Sequence, residues 1–88
     1  MTYTERIISI AKRQIENARD DARQQMRIAL HWMRDEPNEA QRAIAAMLWE
    51  IAPEAAAMVP TAPVDGFYVT SAAVQIVEAA KPTTTEKG

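Results

Sequence analysis

The chain has 88 residues, of which 48% are apolar, and a formal net charge of −2, so it indicates one folded domain rather than a disordered chain. The chain has no cysteine, two glycines and 6% aromatic residues. This composition excludes disulfides and thiolate metal ligands and does not favour an all-β fold. Residues 1–34 hold seven Lys or Arg against four Asp or Glu, whereas residues 35–88 hold three against eight, so the two halves could attract each other or different partners.

A long helix is predicted at the N-terminus. Thr2 and Glu5 form a T-x-x-E capping box, which places the start of the helix near Tyr3. Pro37 disfavours helical conformation in the residue before it, so the helix should end before Pro37. Small and apolar residues recur with an 11-residue period that keeps one seam on one face, at positions 7, 11, 15, 18, 22, 26, 29 and 33.

The centre of this seam is narrow and polar, and its residues Ala18 and Ala22 would let another backbone approach closely. A helix of this length would measure about 50 Å, whereas a compact domain of this size is only about 30 Å across. Either the helix breaks near Asn17–Asp21 or it stays whole and pairs with another chain. We expect it to stay whole, because it contains no glycine or proline and a sharp kink needs a cause.

A second helix is predicted from about Glu39 to Ile51. Its apolar residues recur with helical spacing and form one stripe, and the helix should form an antiparallel hairpin with the first through the segment "RDEPNEA". Pro53 can open a further short helical turn, which Pro60 ends. The stripe consists of Ala40, Ala43, Ile44, Met47, Leu48 and Ile51.

The segment "PTAPVDGFYVT" is predicted to be a short irregular Pro-rich loop. Thr70 or Ser71 should cap a C-terminal helix that runs to Pro82, and the tail "PTTTEKG" should be disordered. The expected fold is therefore all-α: a small three-helix bundle forming a single domain over residues 1–81, followed by a tail over residues 82–88.

Catalytic and metal-binding patterns are not found in the sequence. His31 is the sole histidine and no cysteine accompanies it, so neither a zinc site nor a Ser-His catalytic set is indicated. Two glycines cannot build a nucleotide-binding loop. We expect a protein that is not an enzyme, with no metal, no cofactor and no small-molecule substrate.

Four arginines share one heptad position on the first helix: Arg6, Arg13, Arg27 and Arg34. They could contact an anionic partner, either nucleic-acid phosphates or an acidic protein face. The alternative is a solvated helix face whose charge is balanced by Glu16, Asp20 and Asp21. The negative net charge and the few aromatic residues favour the solvated face over nucleic-acid binding.

Trp49 lies off the main stripe of the second helix, beside Ala45 and Ala52. Either the last helix covers this tryptophan or a partner chain does, since aromatic anchors dominate interface energetics. Trp32 lies at the same end of the predicted hairpin and could join the cluster. The candidate protein interface is therefore Trp49, Ala45, Ala52, Trp32, Ala18 and Ala22.

These features favour a small helical protein-interaction module that associates with itself, as a homodimer, or binds a larger partner as an adaptor or inhibitor. Compact helical chains of this size are frequent among phage and mobile-element accessory proteins. One alternative is a nucleic-acid-associated protein using the Arg residues, and another is a structural subunit of an assembly. The longest apolar run has seven residues and the N-terminus has no apolar signal core, so we expect no membrane anchor and a cytoplasmic location.

Overall fold

Helices form the regular secondary structure of the part that the computed structural model describes, residues 2–34, 36, 38–59 and 70–82. The predicted Pro-rich loop, except Thr70, and the predicted tail, except Pro82, lie outside these residues. No helix in the described ranges combines the length and apolar character needed to cross a bilayer. The helices are α1 (Tyr3–Asn17), α2 (Ala22–Met33), α3 (Asn38–Ile51), α4 (Pro53–Met58) and α5 (Ser71–Ala79).

Local capping signals set several helix starts, as predicted. The Thr2 hydroxyl accepts the Glu5 N–H at 3.1 Å, and the Glu5 carboxylate accepts the Thr2 N–H at 2.9 Å. This reciprocal pair satisfies two N–H groups at the helix start that have no partner within the helix. Pro53 is the first residue of α4, where its missing N–H costs nothing. The Thr70 hydroxyl caps α5.

The prediction of an unbroken N-terminal helix is wrong. Its residues form two helices, because α1 ends at Asn17 and α2 begins at Ala22. Asp20, in the connecting turn, has a φ of 66°, a left-handed conformation that aspartate tolerates better than most residues. Asp21 then caps α2, since its carboxylate accepts the Gln24 N–H at 3.1 Å.

The chain reverses direction at this turn. Close to the turn, Gln25 Nε2 donates to the Ile15 carbonyl at 3.0 Å; far from it, the Tyr3 hydroxyl donates to Glu36 Oε2 at 3.2 Å. A single helix over residues 3–33 would be about 46 Å long, which exceeds the largest dimension of the molecule, 38 Å. Folding back lets the seam residues of α1 and α2 enter one core.

The core lies where α3 packs against the other helices: α3 contacts α1, α2, α4 and α5, and α4 also packs on α2. The predicted stripe of α3 supplies much of it. No polar or charged side chain is buried in the described part of the chain, so the core is held by apolar burial. Its largest fully buried side chains are Ile15, Met26, Met33, Ile44, Leu48, Val59 and Val77.

Side chains from neighbouring helices cap the C-terminal ends of α1, α2 and α5, which end without a glycine. The last four carbonyls of a helix have no partner within it, and here amide and indole N–H groups reach some of them. These contacts join α1 to α2, α2 to α3, and α3 to α5. The donor and acceptor pairs are Gln25 Nε2 to Ile15 at 3.0 Å, Gln41 Nε2 to Met33 at 2.7 Å and Trp49 Nε1 to Val77 at 2.7 Å.

Candidate functional site

Trp49 is covered by the last helix of its own chain. Its indole N–H donates to the Val77 carbonyl, and the Lys81 ammonium lies 5.9 Å from the ring centroid, in cation–π range. Ala45 and Ala52 are 0% and 5% exposed, so they present no surface to a partner. Of the two interpretations of Trp49, the structure supports the intramolecular one, with this residue anchoring α5.

The other predicted small residues flank the turn between α1 and α2. Ala18 is the C-cap of α1 and Ala22 the first residue of α2. Both are half-buried. Their small side chains lie where the chain reverses.

The turn also divides the predicted arginine row. Arg6 and Arg13 are exposed on α1, whereas Arg27, half-buried, and Arg34, exposed, belong to α2. The four side chains therefore do not follow one another along a single helix. A continuous row that could track a phosphate backbone is not formed.

A different surface emerges beside α1. Tyr3 and Ile10 are 60% and 46% exposed, and they are the exposed large hydrophobic residues of the described chain. Residues seven apart lie on the same flank of a helix, as do residues four apart. Tyr3, Ile10 and Gln14 therefore share one flank of α1.

Trp32 of α2 adjoins this flank. Its indole N–H donates to Gln14 Oε1 at 2.9 Å, and its neighbour one turn away, Ile28, is also half-buried. His31 is exposed and meets the Trp32 ring edge-on, with 6.0 Å between centroids and 82° between planes. We call the surface formed by Tyr3, Ile10, Gln14, Ile28 and Trp32 the α1–α2 patch.

Tyr3 is held in place at one end of this patch. Its hydroxyl donates to Glu36 at 3.2 Å, and this hydrogen bond is the main reason why the pKa of Tyr3 is raised above its ordinary value, with desolvation and the negative charge of Glu36 adding to the effect. The contact fixes the direction of an otherwise exposed ring.

At the other end of the patch, an open depression of about 370 Å³ lies between Gln14 and the outer face of α2. Ile28 contributes an apolar wall, and polar and cationic groups surround it. In the described ranges, no three His, Asp or Glu side chains come together in a way that could hold a metal ion. The depression is lined by Gln14, Gln24, Arg27, Ile28 and His31.

Cations border the α1–α2 patch. Arg6 and Arg13 lie four residues before and three residues after Ile10, so they neighbour it on the helix surface. The sequence of α2 contains no Asp or Glu. On α1, Glu5 and Glu16 lie about 140° and 120° around the helix from Ile10. The patch therefore combines an apolar aromatic surface with a basic border on α1.

No family model, curated protein or solved structure gives a significant match to this chain. The α1–α2 patch is therefore the feature of this chain that points to a function. The sequence places Trp32 in the candidate interface but not Tyr3 or Ile10, because the surface that these two residues share with Trp32 forms only when the chain folds back.

Proposed function

We propose that this protein is a small, non-enzymatic interaction module that binds a macromolecular partner through the α1–α2 patch. The observation that carries the proposal is the exposure of Tyr3 and Ile10, at 60% and 46%, on one flank of α1 beside Trp32. Tyr, Trp and Arg are the residues most enriched where binding energy concentrates, and all three types meet here.

The partner is a second copy of the chain or a larger protein. In the second case the module links that protein to another component or blocks its working surface, in the manner of the adaptors and inhibitors among phage and mobile-element accessory proteins. An assembly subunit would use the same patch and differ only in the size of the complex it builds.

The contribution of a single side chain can be estimated. Burying an isoleucine fully is worth about 1.5–3 kcal/mol, and 46% of Ile10 remains exposed in the free protein. Covering it therefore contributes about 1 kcal/mol. Replacing it by glutamate removes this gain and also places a carboxylate in the contact, whose desolvation opposes binding, so the complex should weaken at least tenfold.

The test compares the wild type with Ile10→Glu and with a control, Ala46→Glu, which adds the same charge at an exposed position on α3. Each tagged protein is incubated in an extract of the source organism, cross-linked and analysed by quantitative mass spectrometry. Sedimentation equilibrium of the pure proteins measures self-association, and circular dichroism verifies that they fold.

We expect a defined complex, with itself or with one larger protein, that Ala46→Glu retains and that Ile10→Glu reduces at least tenfold. A complex that survives Ile10→Glu unchanged would contradict the proposal. A wild-type chain that stays monomeric and captures no protein above the level of Ile10→Glu would contradict it equally.

The nucleic-acid alternative has less support. The turn divides its arginines between two helices, and among the described Phe, Tyr and Trp residues only Tyr3 offers a largely exposed ring on which a base could stack. Phosphate contacts are strongest at low salt. This alternative would be restored if a duplex or single-stranded oligonucleotide bound at about 50 mM salt and if reversing the charges of Arg6 and Arg13 abolished the binding.

A further inference from the structure

We infer that the partner presents an acidic amphipathic helix to the α1–α2 patch. The inference rests on the proposed function and adds the chemistry of the partner to it. Three properties of the patch support it: its shape, the charges that border it, and the surfaces that a second copy of the chain could offer.

The patch has the dimensions of a site for a short helix. From Tyr3 to Gln14 it follows twelve residues of α1, whose ends are about 16 Å or three helical turns apart. Its apolar groups come from two adjacent helices joined by the hydrogen bond from Trp32 to Gln14. Such a surface suits a helix whose apolar residues recur at i, i+3 or i+4, and i+7.

The charges select an acidic helix. Arg6 and Arg13 are exposed beside Ile10, and the sequence of α2 contains no carboxylate. The carboxylate at the Tyr3 end of the patch, Glu36, accepts the hydrogen bond of the Tyr3 hydroxyl. A helix docked along the patch would bring its flanking residues close to these guanidinium groups. Carboxylates at those positions would form charge-assisted hydrogen bonds, frequently bidentate with arginine, whereas lysines would be repelled.

A second copy fits the patch less well. In the described part of the chain the exposed large hydrophobic residues are Tyr3 and Ile10, which already belong to the patch. With the described residues alone, a second copy could cover the patch with large exposed apolar groups only by using its own patch. That arrangement would join two surfaces from the half of the chain with net charge +3 (seven Lys or Arg minus four Asp or Glu), and like charges facing each other oppose association.

The experiment uses three designed peptides of about 14 residues, or nearly four turns, with lactam bridges that hold them helical. All carry the same leucine and tryptophan stripe, and their flanking positions are Glu in the first, Gln in the second and Lys in the third. Isothermal titration calorimetry measures their affinities for the full-length chain and for Ile10→Glu.

We expect the Glu peptide to bind at least tenfold more tightly than the Gln peptide, and the Lys peptide to bind most weakly. The double reversal Arg6→Glu/Arg13→Glu should invert this order. Lys12→Glu, which reverses a cation about 160° around α1 from Ile10, should leave it unchanged. Ile10→Glu should abolish binding of the Glu peptide.

Equal affinity for the three peptides, all lost on Ile10→Glu, would overturn the acidic partner and leave the proposed function intact. No binding of any peptide at about 1 mM, or binding that Ile10→Glu does not weaken, would overturn the inference as well. The proposed function itself is tested by the separate capture experiment, and it fails there if native complexes survive Ile10→Glu or if the wild type forms no complex.

Discussion

Replacing Trp49 with phenylalanine should loosen α5 from the rest of the domain. The substitution keeps an aromatic ring but removes the indole N–H that donates to the Val77 carbonyl at 2.7 Å. Val77 is fully buried, so water cannot easily replace the lost donor. This hydrogen bond joins α3 to α5, so we expect the substitution to destabilise α5 first.

The size of the effect follows from two terms. The Val77 carbonyl keeps a second donor, the Ala80 N–H at 3.2 Å, so loss of the indole N–H should cost about 1 kcal/mol, the lower end of the range for a buried acceptor. The smaller ring removes roughly 25 Å² of buried apolar surface, worth about 0.6 kcal/mol. The sum is about 1.5 kcal/mol, which in a domain of this size lowers the Tm by about 10 °C.

Urea denaturation followed by far-ultraviolet circular dichroism measures the free energy of unfolding, and hydrogen exchange measures the protection of α5. Trp32→Phe is the matched control, because its N–H donates to the exposed Gln14 side chain, which water can solvate. It should cost about 1 kcal/mol, of which the smaller ring accounts for about 0.6 kcal/mol, and leave α5 protected. If both variants lose equal stability and α5 keeps its protection in Trp49→Phe, the assigned role of Trp49 is refuted.

Three further variants test the turn, a cap and the Tyr3 contact. Asp20→Gly should raise the free energy of unfolding by about 0.5–1 kcal/mol, because glycine adopts positive φ without strain; a loss of stability in urea denaturation would contradict the left-handed turn. Gln41→Ala should cost about 1 kcal/mol by removing the 2.7 Å donor to the Met33 carbonyl, which also accepts the Glu36 N–H at 3.4 Å, and an unchanged urea midpoint would contradict the cap. With the chain's other tyrosine replaced by phenylalanine, absorbance at 295 nm should show Tyr3 titrating above its ordinary pKa of 10.0, and Glu36→Gln should move the midpoint back. Because the folded-state pKa is raised, the contact stabilises the fold below pH 10, and this stability is lost as pH rises through the folded-state pKa. A titration midpoint that Glu36→Gln leaves unchanged would contradict the Tyr3–Glu36 contact.

Helix starts could be predicted from the sequence because they depend on a few adjacent residues. The capping box at Thr2 and Glu5, the proline that opens α4 and the Thr70 cap are all confirmed. The boundaries of α3 also agree within one residue with the prediction. Each signal acts within one helical turn, so tertiary packing does little to shift the positions where these helices begin.

The turn after α1 could not be predicted in the same way. Locally, the left-handed conformation of Asp20 costs about 1 kcal/mol, and no glycine or proline marks the position. This cost is offset by burying Ile15 and Met26 in one core, a gain that exists only after the chain has folded back. The spacing of Asp21 and Gln24 was the available signal, because an N-cap residue followed three positions later by Gln is typical of a helix start.

The cover of Trp49 and the α1–α2 patch both depend on which helices meet. Angular spacing placed Trp49 off the main stripe of its helix, but only the position of α5 decides what covers it. Ile10 and Trp32 belong to different helices, and their surface appears when the turn brings those helices together. Sequence periodicity describes one helix at a time and therefore could not assemble this site.

The most direct test of the proposed interaction is site-specific photocross-linking in cells of the source organism. A benzophenone amino acid is incorporated at position 10, on the α1–α2 patch, or at position 46, on the outer face of α3. Position 10 should give one discrete adduct of defined mass, and position 46 should give none above background. A discrete adduct at position 46 with none at position 10 would contradict the account.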